Sequence, residues 1–284
     1  MGILSPMRRT APIAAALAAT ALALAWWALW HEPRSVRLRR LTIAPAHWPE
    51  ELDGLMVAVV SDLHTGAPHV DARRVARMVV RLNRAAPDLV ALLGDYADPA
   101  VALGHRVEPD EVARVLGDLR APLGRFAVLG NHDWHEHGGA MPRALRAAGI
   151  TVLENDAVRA EDATAPLWVA GLADATTRTP SLDETLAVVP GDHTVLLLSH
   201  NPDVFPRVPA RVSLTLAGHT HGAQVDLPVV RDKVTPSAHG ARYTKGHQVE
   251  DGRHLFVSPG IGTSRFAIRF RARPEITLLR LEAR

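Results

Sequence analysis

An α/β domain with two packed sheets, set behind an N-terminal membrane helix, is the fold class this sequence predicts. Three observations point there. Residues 10–30 carry no charge and are almost entirely Ala, Leu, Ile and Trp. Beyond them, short continuous apolar runs alternate with segments of helical periodicity. Towards the C-terminus the apolar runs predominate.

The uncharged run is long enough to cross a bilayer as a helix, which takes about 20 apolar residues. Trp26, Trp27 and Trp30 crowd its end, where an interfacial aromatic belt belongs. Arg8 and Arg9 precede it, as in a signal sequence, yet no small-x-small cleavage site follows before Pro33. The sequence therefore predicts an uncleaved single-pass anchor over residues 1–33 and one domain over 34–284. Arg34, Arg37, Arg39 and Arg40 outnumber Arg8 and Arg9, so the positive-inside rule sets the domain in the cytoplasm. Arg8-Arg9 ahead of an apolar run is also the form of a twin-arginine export signal, which sets it outside.

Within the domain, Val36 to Ile43 alternates apolar and basic residues, the period of a strand with one wet face. Leu55 to Val60 and Leu89 to Leu93 are continuous apolar runs, as in strands buried on both faces. Between them Val75, Met78, Val79 and Leu82 have helical spacing behind Asp71, a good N-cap. A helix is expected over 108–119, with Pro109 in its first turn. A strand follows over 125–129, then a helix over 141–148 closed by Gly149. Strands are expected over 167–171, 194–198, 214–217, 254–257 and 276–281, with a short helix over 182–188.

Composition narrows the chemistry. With 47% hydrophobic and 22% charged residues the chain can bury a sizeable core. A formal net charge of +2 gives no whole-molecule attraction to nucleic acid, and no protein partner is indicated. There is no cysteine, which excludes disulfides, thiolate nucleophiles and cysteine-ligated zinc. A metal must then be held by His, Asp, Glu or Asn, which suits hard or borderline divalent ions.

Five of the apolar runs end in such residues: Ser61-Asp62-Leu63-His64, Gly94-Asp95-Tyr96-Ala97-Asp98, Gly130-Asn131-His132-Asp133, Ser199-His200 and Gly218-His219-Thr220-His221. Open α/β sheets place their sites beyond the carboxyl ends of the strands, so strands sharing a sheet bring these clusters together. Asp-x-His and His-x-His let two side chains of one loop reach one pair of ions. Gly94, Gly130, Gly218 and Gly222 let backbone approach closely. Two such cations share a bridging carboxylate and activate a water at neutral pH.

As a set these motifs resemble the calcineurin-like metallophosphoesterase family, over roughly residues 50–262. The resemblance implies a four-layer α/β/β/α sandwich. It also implies that Asp62, His64 and His221 hold one divalent metal, that Asn131, His200 and His219 hold a second, and that Asp95 bridges them. Mn, Fe, Zn and Mg all suit these ligands. His132 is then the general acid, oriented and kept charged by Asp98, in hydrolysis of a phosphodiester or pyrophosphate by metal-activated hydroxide. The N-terminal segment, His219-Thr220-His221-Gly222-Ala223-Gln224 and Ser258-Pro259-Gly260-Ile261-Gly262 resemble the bacterial branch called YkuE- or YaeI-like. That branch includes exported phosphodiesterases and UDP-2,3-diacylglucosamine pyrophosphatases. It implies a phosphorylated small-molecule or lipid substrate, such as the cell-envelope lipid UDP-diacylglucosamine. Ala223 departs from the pattern, standing where a glycine is usual.

Other polar residues read more plainly. Asp133 is expected to cap a turn or helix, and His135 and His137 to lie in a solvated glycine-bounded loop or at a substrate rim. His31, His47, His69, His105, His193, His239, His247 and His254 fit no ligand spacing. Arg265 to Arg273 reads as an edge strand or loop, or as a basic patch facing anionic headgroups. The alternative to an enzyme is a membrane-anchored metal-binding protein without turnover. A metallo-β-lactamase-type site is excluded, since no His-x-His-x-Asp-His cluster occurs.

Overall fold

The structure is a computed structural model that describes residues 7–98, 101–191 and 193–283. In chain order the strands are β1 (Arg37–Ile43), β2 (Leu55–Val60), β3 (Leu89–Leu92), β4 (Arg125–Ala127), β5 (Thr151–Val152), β6 (Asp156–Arg159), β7 (Leu167–Gly171), β8 (Thr194–Ser199), β9 (Leu214–Ala217), β10 (Gly246–Glu250), β11 (Arg253–Val257) and β12 (Glu275–Leu281). They form two six-stranded sheets, ordered β1-β12-β2-β3-β4-β5 and β10-β11-β9-β8-β7-β6. Pairing is parallel except at β12–β2, β6–β7 and β10–β11.

The helices are α1 (Met7–Trp26), α2 (Glu32–Arg34), α3 (Ala72–Ala85), α4 (Pro109–Gly117), α5 (Asn131–His137), α6 (Ala140–Ala147), α7 (Leu182–Ala187) and α8 (Arg231–Val234). Asp71 caps α3 by accepting Arg74 N at 2.7 Å. Pro109 occupies the first turn of α4, where a missing N–H does no harm.

Strand alternation builds the layers. In β2, Ala58 and Val60 join one apolar cluster with Val79, Leu82, Leu116 and Leu145 of the helices. Val57 and Val59, on the other face, join a second cluster with Leu196, Leu198, Leu214 and Phe256 of the opposite sheet. The remaining face of that sheet, through Val195 and Leu197, packs on Leu186, Val204 and Phe205 in a third. Three apolar interfaces separate four layers: helices, sheet, sheet, helices.

Three strands escaped the sequence reading, and all flank a sheet: β5, β6 and β10. Edge strands bury fewer residues, so β10 alternates half-buried and exposed positions rather than presenting an apolar run. Helix α5 also differs from expectation, running over residues 131–137 where a loop was predicted for His135 and His137.

Residues 12–34 form a helix long and apolar enough to cross a membrane. Its last turns are welded to the domain. Ala28 O accepts Arg269 N at 2.9 Å, and His69 Nε2 lies 2.9 Å from Leu29 O. Glu32 is buried; its Oε1 accepts Ala272 N at 2.7 Å and its Oε2 accepts Trp27 Nε1 at 2.8 Å. Arg269 itself is not a surface cation: it is fully buried, and among the described residues its guanidinium donates only to backbone carbonyls. Among the described residues the 265–273 segment forms a single bridge, Phe270 to Val225, rather than an edge strand.

Candidate metal centre

Strands β2, β3 and β4 lie side by side and parallel in one sheet, as β8 and β9 do in the other. The loops leaving their carboxyl ends meet in one crevice. The turns there are tight: Asp62, His64, Asp95, His219 and His221 all adopt left-handed backbone, with φ from +44° to +68°. Each such residue costs about 1–3 kcal/mol and persists only where its surroundings hold it. Here they do, through Asp62 N to Gly94 O (3.0 Å), His64 N to Asp95 O (2.9 Å) and His219 N to the Asp62 carboxylate (3.1 Å). Gly94 has φ +94°, and a Cβ on it would fall 2.5 Å from Gly130 N.

The residues singled out by sequence come together. Asp62, His64, Asp95 and His221 present ligand atoms within 4.8 Å of one another; so do Asp95, His200 and His219, and so do His64, Asp98 and His132. Asp95 joins the first two groups, its Oδ2 lying 3.5 Å from His64 Nε2 and 3.3 Å from His200 Nε2. Asn131 opens α5 and lines the same cleft.

Hydrogen bonds set the imidazole tautomers. His64 Nδ1 lies 2.9 Å from Asp98 Oδ2, and His200 Nδ1 lies 2.7 Å from Leu93 O. A carboxylate and a carbonyl only accept, so each ring keeps its Nδ1 proton and turns Nε2 inward. His64 Nε2 then faces His221 Nε2 at 3.1 Å, and His200 Nε2 faces His219 Nδ1 at 3.1 Å. Two ring nitrogens aimed at each other need a proton or a cation between them. His219 and His221 hold protons poorly. Burial, then the charge of His200 or His64, pushes His219 down and His221 well down. Burial also works against His200, but Asp95 overrides it and holds that imidazole well above its ordinary range. Metal binding displaces protons of this kind.

Among the described residues, Asn131 Oδ1 and His221 Nδ1 are buried without a hydrogen-bond partner. Carboxylates, inward imidazole nitrogens and an orphaned amide oxygen make a donor set that fits divalent cations.

Around this cluster stand residues whose work the sequence showed only in part. Asp98 Oδ2 lies 3.1 Å from His132 Nδ1 as well as 2.9 Å from His64 Nδ1, so one carboxylate orients two rings. Burial opposes a charge on His132, yet Asp98 and Asp95 push its pKa up to about 9. Asp133 caps α5 by accepting Gly130 N, and also accepts Asp95 N and Tyr96 N, all at 2.8–2.9 Å. It thereby pins two loops, and burial with the nearby Asp95 charge raises its pKa to about 7. Ala223 is buried at φ +67°, a conformation that favours the glycine it replaces.

A cleft of about 540 Å³ opens over the cluster. Asp95, Asn131, His132, His219 and His221 line it on one side; Val225, Val234, Phe266 and Ile268 form an apolar wall, with Lys233 and Arg265 beside them.

The family signature of calcineurin-like phosphoesterases matches residues 55–223. Relatives extend the likeness along the chain. It is 31% identical over 261 residues to the metallophosphoesterase YkuE of Bacillus subtilis, covering 90% of this chain and 89% of that one. It is 33% identical over 204 residues to the phosphodiesterase YaeI of Escherichia coli, covering 69% and 70%. It is 29% identical over 330 aligned positions to the UDP-2,3-diacylglucosamine pyrophosphatase LpxG of Chlamydia trachomatis, covering 95% and 96%. Two sheets between helices, strand-end Asp, Asn and His residues meeting in one crevice, and these likenesses place the chain in the calcineurin-like phosphoesterase family, as a phosphoester hydrolase of the YkuE- and YaeI-like branch.

Proposed function

We propose that the chain hydrolyses a phosphodiester or pyrophosphate bond at a dinuclear centre, on a phosphorylated small molecule or lipid. The observation that carries this reading is the two pairs of opposed imidazoles, His64 with His221 and His200 with His219, that flank the Asp95 carboxylate. Asp62, His64 and His221 would hold one cation and Asn131, His200 and His219 the other, with Asp95 shared by both groups. Mn²⁺, Fe, Zn²⁺ and Mg²⁺ all suit these donors. When bound, such ions activate a water at neutral pH and neutralise phosphoryl oxygens.

The protein's own groups do the rest. Asp98 holds His132 through Nδ1, leaving Nε2 for the leaving oxygen. With its pKa near 9 the ring carries the proton a departing alkoxide or phosphate needs. The same carboxylate fixes His64, so positioning of acid and ligand is shared. The left-handed turns, held by backbone hydrogen bonds, aim these side chains into the crevice, an arrangement that supports preorganisation.

The cleft wall supports an amphiphilic substrate. Phosphate meets the Asp and His cluster, Lys233 and Arg265 accept further charge, and Phe266, Val234 and Ile268 take acyl groups. UDP-2,3-diacylglucosamine, named for the Chlamydia relative, has that form. The N-terminal helix anchors the chain in a membrane, and the 264–270 wall is bonded to it through Arg269 N and Ala28 O.

The test is hydrolysis of bis(4-nitrophenyl) phosphate with Mn²⁺ or EDTA, beside H132A. Turnover that chelation abolishes and H132A lowers by about 10²–10⁴ supports the reading. Bound cations without turnover on this probe or on the diacylated lipid would instead favour a metal-binding protein.

A further inference from the structure

A second cavity, of about 730 Å³, lies where the N-terminal helix meets the domain and shares no lining residue with the hydrolytic cleft. Val75, Met78, Ile261 and Ile276 give it an apolar floor, while Arg34, Arg74, Arg77 and Arg81 line its rim. The arginines direct their donors at neutral groups. Arg74 donates to His69 O and Pro33 O, Arg81 to Val36 O, and Arg34 Nε to His69 Nδ1. Among the described residues none of the four forms a salt bridge with a carboxylate, and the one acidic lining residue, Asp71, caps α3. Positive charge thus outweighs the single Asp71 carboxylate: burial, then Arg77 and Arg34, brings the Arg74 pKa down to about 10, with Asp71 opposing them.

Position adds to charge. Arg34 ends the apolar helix and stacks on Trp30, and His69 beside it binds Leu29 O. Trp26, Trp27 and Trp30 are exposed there, as at a bilayer surface. We infer that this cavity binds an anionic phospholipid of the surrounding membrane, its phosphate on Arg34, Arg77 and Arg81 and an acyl chain along the floor. The inference rests on the membrane anchoring proposed above and not on the hydrolytic site. A soluble anion would leave the apolar floor wet, and a zwitterionic lipid would leave the guanidinium charges unmatched.

The experiment uses the full chain in non-ionic detergent, with bound dioleoyl phosphatidylglycerol or dioleoyl phosphatidylcholine counted by native mass spectrometry. Phosphatidylglycerol should be retained in preference, and R77E/R81E should lower its retention by about tenfold or more. Both positions are exposed on α3, so an unchanged thermal midpoint is expected, and R114E on α4 serves as a control that keeps the preference. Equal retention of the two lipids, undiminished retention by R77E/R81E, or full displacement by glycerol phosphate would overturn the inference. Flotation with phosphatidylcholine liposomes reads the anchor separately. A wild-type chain that fails to float refutes the membrane as the lipid's source, even where micelle selectivity persists.

Discussion

Arg269→Met tests how the loops of the metal centre are held. The native guanidinium donates to Gly262 O from Nε (3.0 Å) and from its terminal nitrogen (2.6 Å), to Ala272 O (2.8 Å), Pro259 O (2.9 Å) and His221 O (3.3 Å). Methionine keeps an aliphatic stem and offers no donor. Each buried carbonyl left unmatched costs about 1–3 kcal/mol, so withdrawing the donor from the carbonyls of His221, Pro259, Gly262 and Ala272 costs about 4 kcal/mol or more. Relief from burying a cation, whose pKa burial has brought to about 10, offsets part of that. A net loss of about 3 kcal/mol remains. For a chain of this size the urea m-value is about 3 kcal/mol/M, so the midpoint should fall by about 1 M. The damage should also reach the site, since Gly262 N binds Asp62 O at 2.7 Å and His221 lends its carbonyl directly. Metal content after desalting should therefore fall with stability, and R269K should lie between the two. A midpoint within about 0.2 M of wild type would refute the accounting, because it would mean the carbonyls find water at no cost.

Ala223→Gly should stabilise the chain. Left-handed backbone costs an alanine about 1–2 kcal/mol, glycine returns about 0.5–1 kcal/mol to the unfolded chain, and a thermal midpoint higher by about 2 °C should result. Asp98→Asn should release two rings together, lowering Mn²⁺ affinity by about 10–100-fold through His64 and slowing turnover through His132; isothermal titration and kinetics read the two separately. The pH–rate profile should fall on its alkaline side. A raised His132 pKa means the acid is protonated below about 9 and lost above it, while bound cations shift that limb to lower pH. H132Q should lack the limb, and D98N should move it further toward acid; a limb unmoved by D98N would exclude His132 as its source.

How much of this was legible beforehand follows from what local sequence encodes. Strands buried on both faces announce themselves as apolar runs, and the polar residues at their ends share a crevice because parallel neighbours end on one side. Asp62 and His64, or His219 and His221, are brought together by covalent spacing alone. Edge strands such as β10 lack that signal, since half of each faces water. Arg269 was misleading for a different reason. Its partners are carbonyls at 221, 259, 262 and 272, and carbonyls carry no side-chain identity for a sequence to display. The second duty of Asp98, and the reach of Asp133 across to Asp95 and Tyr96, likewise depend on contacts distant in sequence. Ala223 shows the reverse: its departure from glycine was visible at once, and the backbone there kept the glycine-like turn.

Only Ser35 and Val36 separate the end of α2 from β1, and both flanks of that joint are hydrogen-bonded to the domain. A flexible tether would let a domain sweep a volume set by its length. This joint permits no sweep. With the helix in a bilayer, as proposed, the catalytic cleft rides at one height and one bearing, like a bracket on a wall. Its supply of substrate is then counted per area of membrane rather than per volume of solution. Diluting the protein among more lipid would slow it, whereas diluting the whole suspension would not.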